Sequence, residues 1–495
     1  MKKINIKTTV FLLLLLFMTS GVFLVPAIAK TELKTSQPVV IDIVVTDEQF
    51  ASVTAGLNRF QDSPLSNGID AVNIISSGSN ADQQLAFLQT RLAAGDTTLD
   101  VIGLDVVWTA QFAANGWIIN LSSPTYLGTS YDMSIFIGGM ADSCIYKDSI
   151  YALPWFFNLG VLYYRRDLME QNGFTLDDID TWAELNATAN AILAANSSDI
   201  SGLVGFTAQM ANYEGGTVNF IEWIGANGAT EIVDAEGDFN VTKSEIVEAL
   251  TFLKALIAPS DTTDLATTDY IISREILTST EAESGDKWLD GEAIFVRQWP
   301  YIYDLSLESS DPIFNSVDGD GLPINWGITG IPTFDGTVDQ KSACVGGQIL
   351  SINSQSPYKQ AALNVTRYLC EDNFSQYQPL EEYSHPPALK ETYQGLPTDL
   401  LFAEAFFNAS DVTLARPIFP KYSLVSDVIS DSFSAIISCQ ATPQAGLTTM
   451  QNNIESVLTE VPDVIPGFML PLGLLVISSM ISLIIIVQRK KVKKK

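Results

Sequence analysis

Histidine, cysteine and basic residues are all scarce in this chain of 495 residues. Its single histidine, His385, would have to serve any catalytic triad or histidine-based metal site. His385 stands in a turn-like Ser-His-Pro-Pro segment, and the chain contains no HExxH motif, P-loop or glycine-rich nucleotide fingerprint. We therefore expect no catalytic residue, no metal and no cofactor. A pair of glycosidase carboxylates stays open as an alternative, because any two of the 57 acidic residues can converge.

The four cysteines form no CxxC pair, and their spacing does not fit a zinc site. They are Cys144, Cys344, Cys370 and Cys439. Outside the cell, an even number of cysteines predicts one or two disulfides, and four cysteines allow three connectivities.

Basic residues are outnumbered 27 to 57, and the imbalance is larger in the body of the chain. Nine of the 27 lie in the two terminal segments, where no acidic residue occurs, so residues 30–488 carry 57 acidic residues against 18 basic ones. A body this acidic repels anionic surfaces and excludes binding to nucleic acid through its phosphates.

Long apolar runs occur at both ends of the chain. Residues 1–29 combine a basic start, an apolar stretch and Ala-Ile-Ala, which predicts a signal peptide or, alternatively, an uncleaved anchor. Residues 467–487 contain no charge and are followed by a basic tail at 488–495. This predicts one transmembrane helix with a cytoplasmic tail and an extracellular body. Glycosylation sequons support export, and they begin at Asn120, Asn186, Asn196, Asn240, Asn364, Asn373 and Asn408.

Hydrophobic periodicity predicts an α/β fold. The apolar runs 39–45 and 100–107 are typical of strands buried on both faces, and the segment 81–94 between them has helical spacing. Strand, helix and strand in this order indicate a parallel unit. Further elements are predicted as a helix from a capping box at Thr181, helices at 244–257, 358–369, 426–437 and 445–458, and a strand at 293–296. The acidic stretches 261–286 and 308–321 are predicted to be surface loops.

Aromatic residues beside glycine, proline and polar residues are the most informative feature for function. They occur in the segment 151–158, in Trp299-Pro300-Tyr301 and at Trp108. A sugar presents apolar C–H faces, which rings can cover, and a rim of hydroxyl groups, which polar side chains can bind. For any one tryptophan, packing in the core is an alternative interpretation.

Several blocks, taken in order, resemble the extracellular sugar-binding proteins of ABC importers, near their trehalose/maltose-binding branch. The most diagnostic block runs from Tyr151-Ala-Leu-Pro-Trp155 through Leu162-Tyr-Tyr-Arg-Arg-Asp-Leu168. The other blocks lie at 100–121, 180–185, 209–228, 289–300, 328–332, 346–347, 358–369, 386–390 and 416–417. The resemblance covers most of residues 39–460.

The resemblance implies a type II periplasmic-binding-protein fold, with two α/β lobes, a hinge and a cleft between the lobes. We expect residues 39–153 and 322–366 in the first lobe, and residues 154–321 and 367–460 in the second. The implied function is to bind a di- or oligosaccharide, close around it and deliver it to ABC permease subunits. We expect a monomer that is no enzyme. The alternatives are a surface carbohydrate sensor or lectin without a transporter, and a secreted glycosidase.

The resemblance also implies ligand-binding residues. Asp105 would accept hydrogen bonds from sugar hydroxyls, Trp155 and Trp299 would contact the sugar from the second lobe, and Gly347 and Arg416 fall at contact positions. Glu48 and Glu222 are further candidates. The family often has tryptophan after the Gly-Gly pair, where this chain has Gln348. An amide in place of a stacking ring points to a different or more polar sugar.

Overall fold

The computed structural model describes residues 38–460, except 197–199, 234–237, 261, 263, 337–341, 398–399 and 401–413. The predicted signal peptide, transmembrane helix and basic tail lie outside this part, as does the sequon at Asn408. Within it, no helix combines the length and the apolar character needed to cross a bilayer. The described residues from Val39 onward belong to one compact unit.

A five-stranded sheet forms the centre of the first lobe, with the strand order β2-β1-β3-β11-β6. Its strands are β1 (Val40–Val45), β2 (Ala71–Ser76), β3 (Val101–Asp105), β6 (Ala152–Leu159) and β11 (Val345–Ile352). The first three strands are parallel, as the strand-helix-strand pattern predicts, and β11 runs antiparallel to both of its neighbours. A small hairpin of β4 (Ile145–Tyr146) and β5 (Ser149–Ile150) directly precedes β6 in the sequence.

A four-stranded sheet forms the centre of the second lobe, with the strand order β10-β7-β9-β8. Its strands are β7 (Val161–Tyr164), β8 (Val204–Thr207), β9 (Ala293–Gln298) and β10 (Gly327–Thr329). All six residues of β9 are buried, in keeping with a strand covered on both faces.

Helices cover both sheets. The described α-helices are α1 (Phe50–Gly56), α2 (Ala81–Ala93), α3 (Thr109–Ala114), α4 (Gly138–Ser143), α5 (Arg166–Gln171), α6 (Trp182–Asn196), α7 (Glu214–Gly225), α8 (Ser244–Leu256), α9 (Glu281–Leu289), α10 (Ile302–Glu308), α11 (Pro312–Asn315), α12 (Lys359–Glu371), α13 (Asn373–Tyr383), α14 (Tyr422–Ile437) and α15 (Pro443–Glu460). The capping box predicted at the start of α6 is present, because the Glu184 backbone N–H donates to the Thr181 hydroxyl oxygen and the Thr181 backbone N–H donates to the Glu184 carboxylate. The predicted helices therefore exist, with ends displaced by a few residues.

The chain crosses between the sheets at different residues from those predicted. Pro154 to Leu159 stay in the first sheet, so the outward crossing lies at Gly160 between β6 and β7. The return crossing lies between β10 and β11, because β10 pairs with β7 of the second sheet. Helices α12 and α13 still belong to the first lobe, where Tyr368 packs edge-on against Phe60 at 5.2 Å. The boundary expected at 366/367 therefore falls inside a helix whose inward face completes the first core.

The prediction that residues 261–286 form a surface loop is wrong. Ile271, Ile272 and Ile276 are buried in the second-lobe core, and α9 begins at Glu281. The acidic composition hid a few well-spaced isoleucines, which are enough to anchor the segment.

Two predictions about covalent modification also need correction. The four cysteines are unpaired, and Cys144, Cys344 and Cys370 are buried while Cys439 is exposed. Burial raises the pKa of the Cys344 thiol to about 12, so it packs as a small apolar side chain. Asn196 is only 5% exposed and donates its side-chain N–H to the Ile192 carbonyl, which leaves no room for a glycan at this sequon.

Candidate functional site

A cavity of about 110 Å³ lies between the two lobes. From the first lobe it is lined by the ends of strands and the turns that follow them, as expected for the carboxyl edge of a parallel sheet. From the second lobe it is lined mainly by the starts of α7 and α9 and by the segment after β9. Its lining includes six of the predicted residues, Glu48, Asp105, Trp299, Gly347, Gln348 and Arg416.

Arg416 joins the two walls of the cavity. Its guanidinium donates to Asp105 Oδ1 at 2.9 Å and to Glu214 Oε1 at 2.7 Å. Asp105 ends β3 in the first lobe, whereas Glu214 begins α7 in the second. Glu214 also accepts hydrogen bonds from Tyr422 at 2.5 Å and from Ser426 at 2.6 Å. One buried cation thus holds together carboxylates from both lobes.

Burial raises the pKa of the Glu214 carboxyl, and Arg416 opposes that rise. Losing the guanidinium would therefore leave a buried carboxylate with too little compensation. Sequence reasoning found Arg416 and Asp105 but missed Glu214, since the acidic start of a helix is usually a solvated position.

Trp299 contributes an aromatic surface to the cavity. On one side of its ring lies the Arg297 guanidinium, 3.9 Å from the ring centroid. A Cβ added at Gly346 would come within 3.0 Å of the same ring, so the backbone of β11 packs closely against it. The cation and the glycine hold the ring in place.

Glu222 and Trp155 do not line the cavity, unlike the other predicted residues. Glu222 pairs with Arg297, accepting from Nε at 2.7 Å and from Nη2 at 2.6 Å, and both side chains are nearly fully buried. Trp155 is 1% exposed and packs edge-on against Phe156 within the first-lobe core. Successive residues of a strand point to opposite faces, and here Phe156 reaches the cavity instead.

Gly347 adopts a conformation that other residues avoid. Its φ is +123°, and a Cβ at this position would overlap the Phe156 carbonyl oxygen on the neighbouring strand. The pairing of β11 with β6 shifts register just after it, between Gln348 and Ile349. This irregularity brings Gln348 to the cavity, where its side chain is 9% exposed and its Oε1 has no hydrogen-bond partner.

We expect Gly347→Ala to lower the free energy of unfolding by about 1–3 kcal/mol, because the added Cβ meets backbone in a strained conformation. Chemical denaturation with wild-type protein as reference measures this loss. Gly138→Ala is the matched control, since nothing lies within 4 Å of a Cβ at that helical position. Equal stability of the two variants would contradict the assigned backbone strain.

Sequence reasoning missed three more residues of the cavity. Asn158 lies next to the crossing, Glu281 lies in the first turn of α9, and His385 stacks on Phe156 with ring centroids 4.6 Å apart. Burial lowers the pKa of His385 to about 4, and its Nδ1 lies 2.7 Å from Ser52 Oγ, so it is a neutral wall residue. A capping box of Thr280 and Glu283 was the available signal for α9 and thus for Glu281.

Among the described residues, no group of three histidine, cysteine or carboxylate side chains is arranged to hold a metal ion. The cavity is instead built from carboxylates, amides, one guanidinium and aromatic rings, groups that bind a polar organic solute.

Residues 58–400 match the model of the bacterial extracellular solute-binding protein family. This chain belongs to that family. A probable ABC transporter-binding protein of Deinococcus radiodurans is 28% identical over 392 residues, which cover 78% of this chain and 86% of the relative. These solute-binding proteins are not enzymes, and neither is this member of the family.

Solved structures agree with this assignment. The maltose-bound MalE3 of T. maritima is 27% identical with a TM-score of 0.72, and the match covers 85% of this chain and all of the other. The GacH receptor of Streptomyces glaucescens has a TM-score of 0.70 at 17% identity, covering 86% and 100%, and shows the fold alone. The predicted resemblance to extracellular solute-binding proteins of ABC transporters, and their two-lobed α/β fold, are confirmed.

Proposed function

We propose that this solute-binding protein captures a di- or oligosaccharide between its lobes and delivers it to an ABC importer. Closure of the lobes would bury the sugar, and the closed form would dock on permease subunits. The predicted helix at 467–487 would tether the protein beside them, which raises its local concentration at the permease.

The observation that carries this proposal is the combination of Trp299 with the Asp105–Arg416–Glu214 bridge in one cavity. A ring suits the apolar face of a sugar, and carboxylates and amides suit its hydroxyl rim. The relatedness to a maltose-bound protein supports the same ligand class.

A sugar panel tests the proposal directly. The described residues from Val39 to 460 belong to one compact unit. Using the full chain in detergent avoids any assumption about its ends. A ligand that binds the folded state raises the melting temperature by mass action, and calorimetry then gives its affinity and stoichiometry. Saturable 1:1 binding without turnover supports the proposal, and hydrolysis of the sugar or no binding across the panel contradicts it. Binding without uptake in cells would favour a sensor.

We expect Trp299→Ala to weaken sugar binding roughly ten- to a hundredfold, since burying a large apolar side chain is worth about 1.5–3 kcal/mol. Trp299→Phe should recover part of the affinity, because a smaller ring remains. Isothermal titration calorimetry measures both. Tyr358→Ala is the control, because Tyr358 is an exposed ring that does not line the cavity. Unchanged affinity in Trp299→Ala would exclude Trp299 from the binding site.

A further inference from the structure

The cavity has more negative charge than its one guanidinium can balance. Four carboxyl groups line it, and the only arginine or lysine among its described lining residues is Arg416. Arg416 already bonds Asp105 and Glu214. Glu48 and Glu281 are therefore left without a cation in the wall of the cavity.

These two carboxyl groups come from opposite lobes. Glu48 lies in the turn after β1, and Glu281 lies in the first turn of α9. Glu281 Oε2 accepts a hydrogen bond from Tyr213 at 2.6 Å, which fixes its position. Tyr301 lines the same cavity, and its pKa is raised by burial and then by Glu48 and Glu281. The two acids thus face the same part of the cavity with a tyrosine beside them.

Both carboxyl groups line the same cavity, and the pKa of Glu48 shifts in the direction expected beside another acid. The pKa of Glu48 is raised to about 7, first by burial, then by Glu281 and then by Asp47. Burial also raises the pKa of Glu281, against hydrogen bonds from Tyr213 and Trp299 and the charge of Arg297. Arg297 does not neutralise the charge of Glu281, because it is already paired with Glu222. A cation entering the cavity would therefore stabilise the ionised form of both carboxyl groups.

Unpaired amide oxygens give an independent indication of the ligand. Gln348 Oε1, Gln84 Oε1 and Asn158 Oδ1 are buried without a hydrogen-bond partner, and all three residues line the cavity. The Gln84 amide nitrogen is engaged, donating to the Gly103 carbonyl at 3.0 Å, so its oxygen is the free end. Buried acceptors of this kind call for a donor from the ligand.

We propose that the cleft selects a carbohydrate that carries a protonated amino group, held between Glu48 and Glu281. A sugar hydroxyl is both donor and acceptor, whereas an ammonium group has three donors and no acceptor. It therefore satisfies acceptors without adding another, and it neutralises charge that closure of the lobes brings together. This inference rests on the proposed function, because it specifies the sugar that the same cavity takes.

A definite pH dependence follows. Below pH 7 Glu48 is mostly protonated, and an ammonium group in the cavity favours its ionised form, so binding releases a proton. Affinity for the amino sugar should therefore fall as the pH drops from 7 to 5. The other ionisable groups around Glu48 are Asp47, Asp105, Glu214, Glu281, Tyr301, His385 and Arg416.

Matched sugars test the inference. Glucosamine against glucose differs by one amino group in place of a hydroxyl, and the β-1,4-linked glucosamine dimer against cellobiose differs by one such replacement in each sugar unit. We expect the amino sugar of a pair to bind at least tenfold more tightly at pH 7 by calorimetry, with proton release detectable in buffers of different ionisation enthalpy. In the double variant Glu48→Gln/Glu281→Gln, the ratio of the two affinities should fall close to one. Asp177→Asn, which removes the same charge from an exposed turn outside the cavity, should keep it.

The outcomes separate the two proposals. A neutral sugar that binds as tightly as its amino counterpart overturns the inference and leaves the proposed function intact. A preference that persists in the double variant overturns the placement between Glu48 and Glu281. Absence of binding by every sugar, neutral or amino, overturns both proposals.

Discussion

Replacing Arg297 with methionine should lower the free energy of unfolding by about 3–5 kcal/mol, the usual cost of breaking a buried ion pair from one side. Glu222 would keep its charge in a site where it is 3% exposed. The variant would also lose the hydrogen bond to Gln209 at 2.8 Å and the cation beneath Trp299. Urea denaturation of the ligand-free protein measures the loss.

Two further variants separate the buried charge from simple loss of arginine. Arg297→Met combined with Glu222→Leu should recover most of the stability, because two apolar side chains then fill the site. Arg367→Ala should cost under about 1 kcal/mol, since Arg367 forms a partly solvent-exposed pair with Glu371 four residues along its helix. If Arg297→Met lowers the free energy of unfolding as little as Arg367→Ala does, the Arg297–Glu222 pair contributes little to stability.

Replacing Arg416 with methionine should have the second large effect, again about 3–5 kcal/mol of stability at pH 8, together with weaker ligand binding. Glu214 and Asp105 would then face each other's charge without the guanidinium between them. Arg416→Lys should retain only part of the stability that Arg416→Met loses, because an ammonium group cannot reproduce the two-sided geometry of the guanidinium.

The sign of the pH dependence identifies the cause. Without Arg416, the folded-state pKa of Glu214 should lie further above its unfolded value, so the folded state binds more protons. Stability of Arg416→Met relative to wild type should therefore improve as the pH falls from 8 to 5. A deficit that does not change with pH would mean that lost packing, and not an unpaired carboxylate, destabilises the variant.

Much of the fold could be predicted because its signals are local. The apolar runs of β1 and β3, the helical spacing of α2 and α8 and the capping box at Thr181 each depend on a few neighbouring residues. The ordered motifs added the two-lobed architecture and most of the site. Asp105 and Trp299 could be placed because one ends a strand and the other directly follows one, in recognisable blocks.

The predictions that failed concern features that depend on strand register and on contacts between residues distant in the sequence. Trp155 and Phe156 are adjacent aromatics in a strand buried on both faces, so the alternation that tells inside from outside is missing. The crossing at Gly160 is set by which strand β6 pairs with, and no local pattern encodes that choice. Glu281 lines the same cavity as Glu48, which lies more than two hundred residues away in the sequence, so no local pattern links the two.

The crossing at Gly160 also constrains which sequences can fold in this way. A Cβ at this position would overlap the carboxylate of Glu222 and the guanidinium of Arg297, and Glu222 Oε1 also accepts from the Cys344 backbone N–H, at 3.0 Å. One ion pair thus rests against both the outgoing and the returning strand. The order of substitutions is therefore constrained: alanine at 160 requires that the pair has already been reshaped, whereas a homologue that has lost the pair is free to replace the glycine.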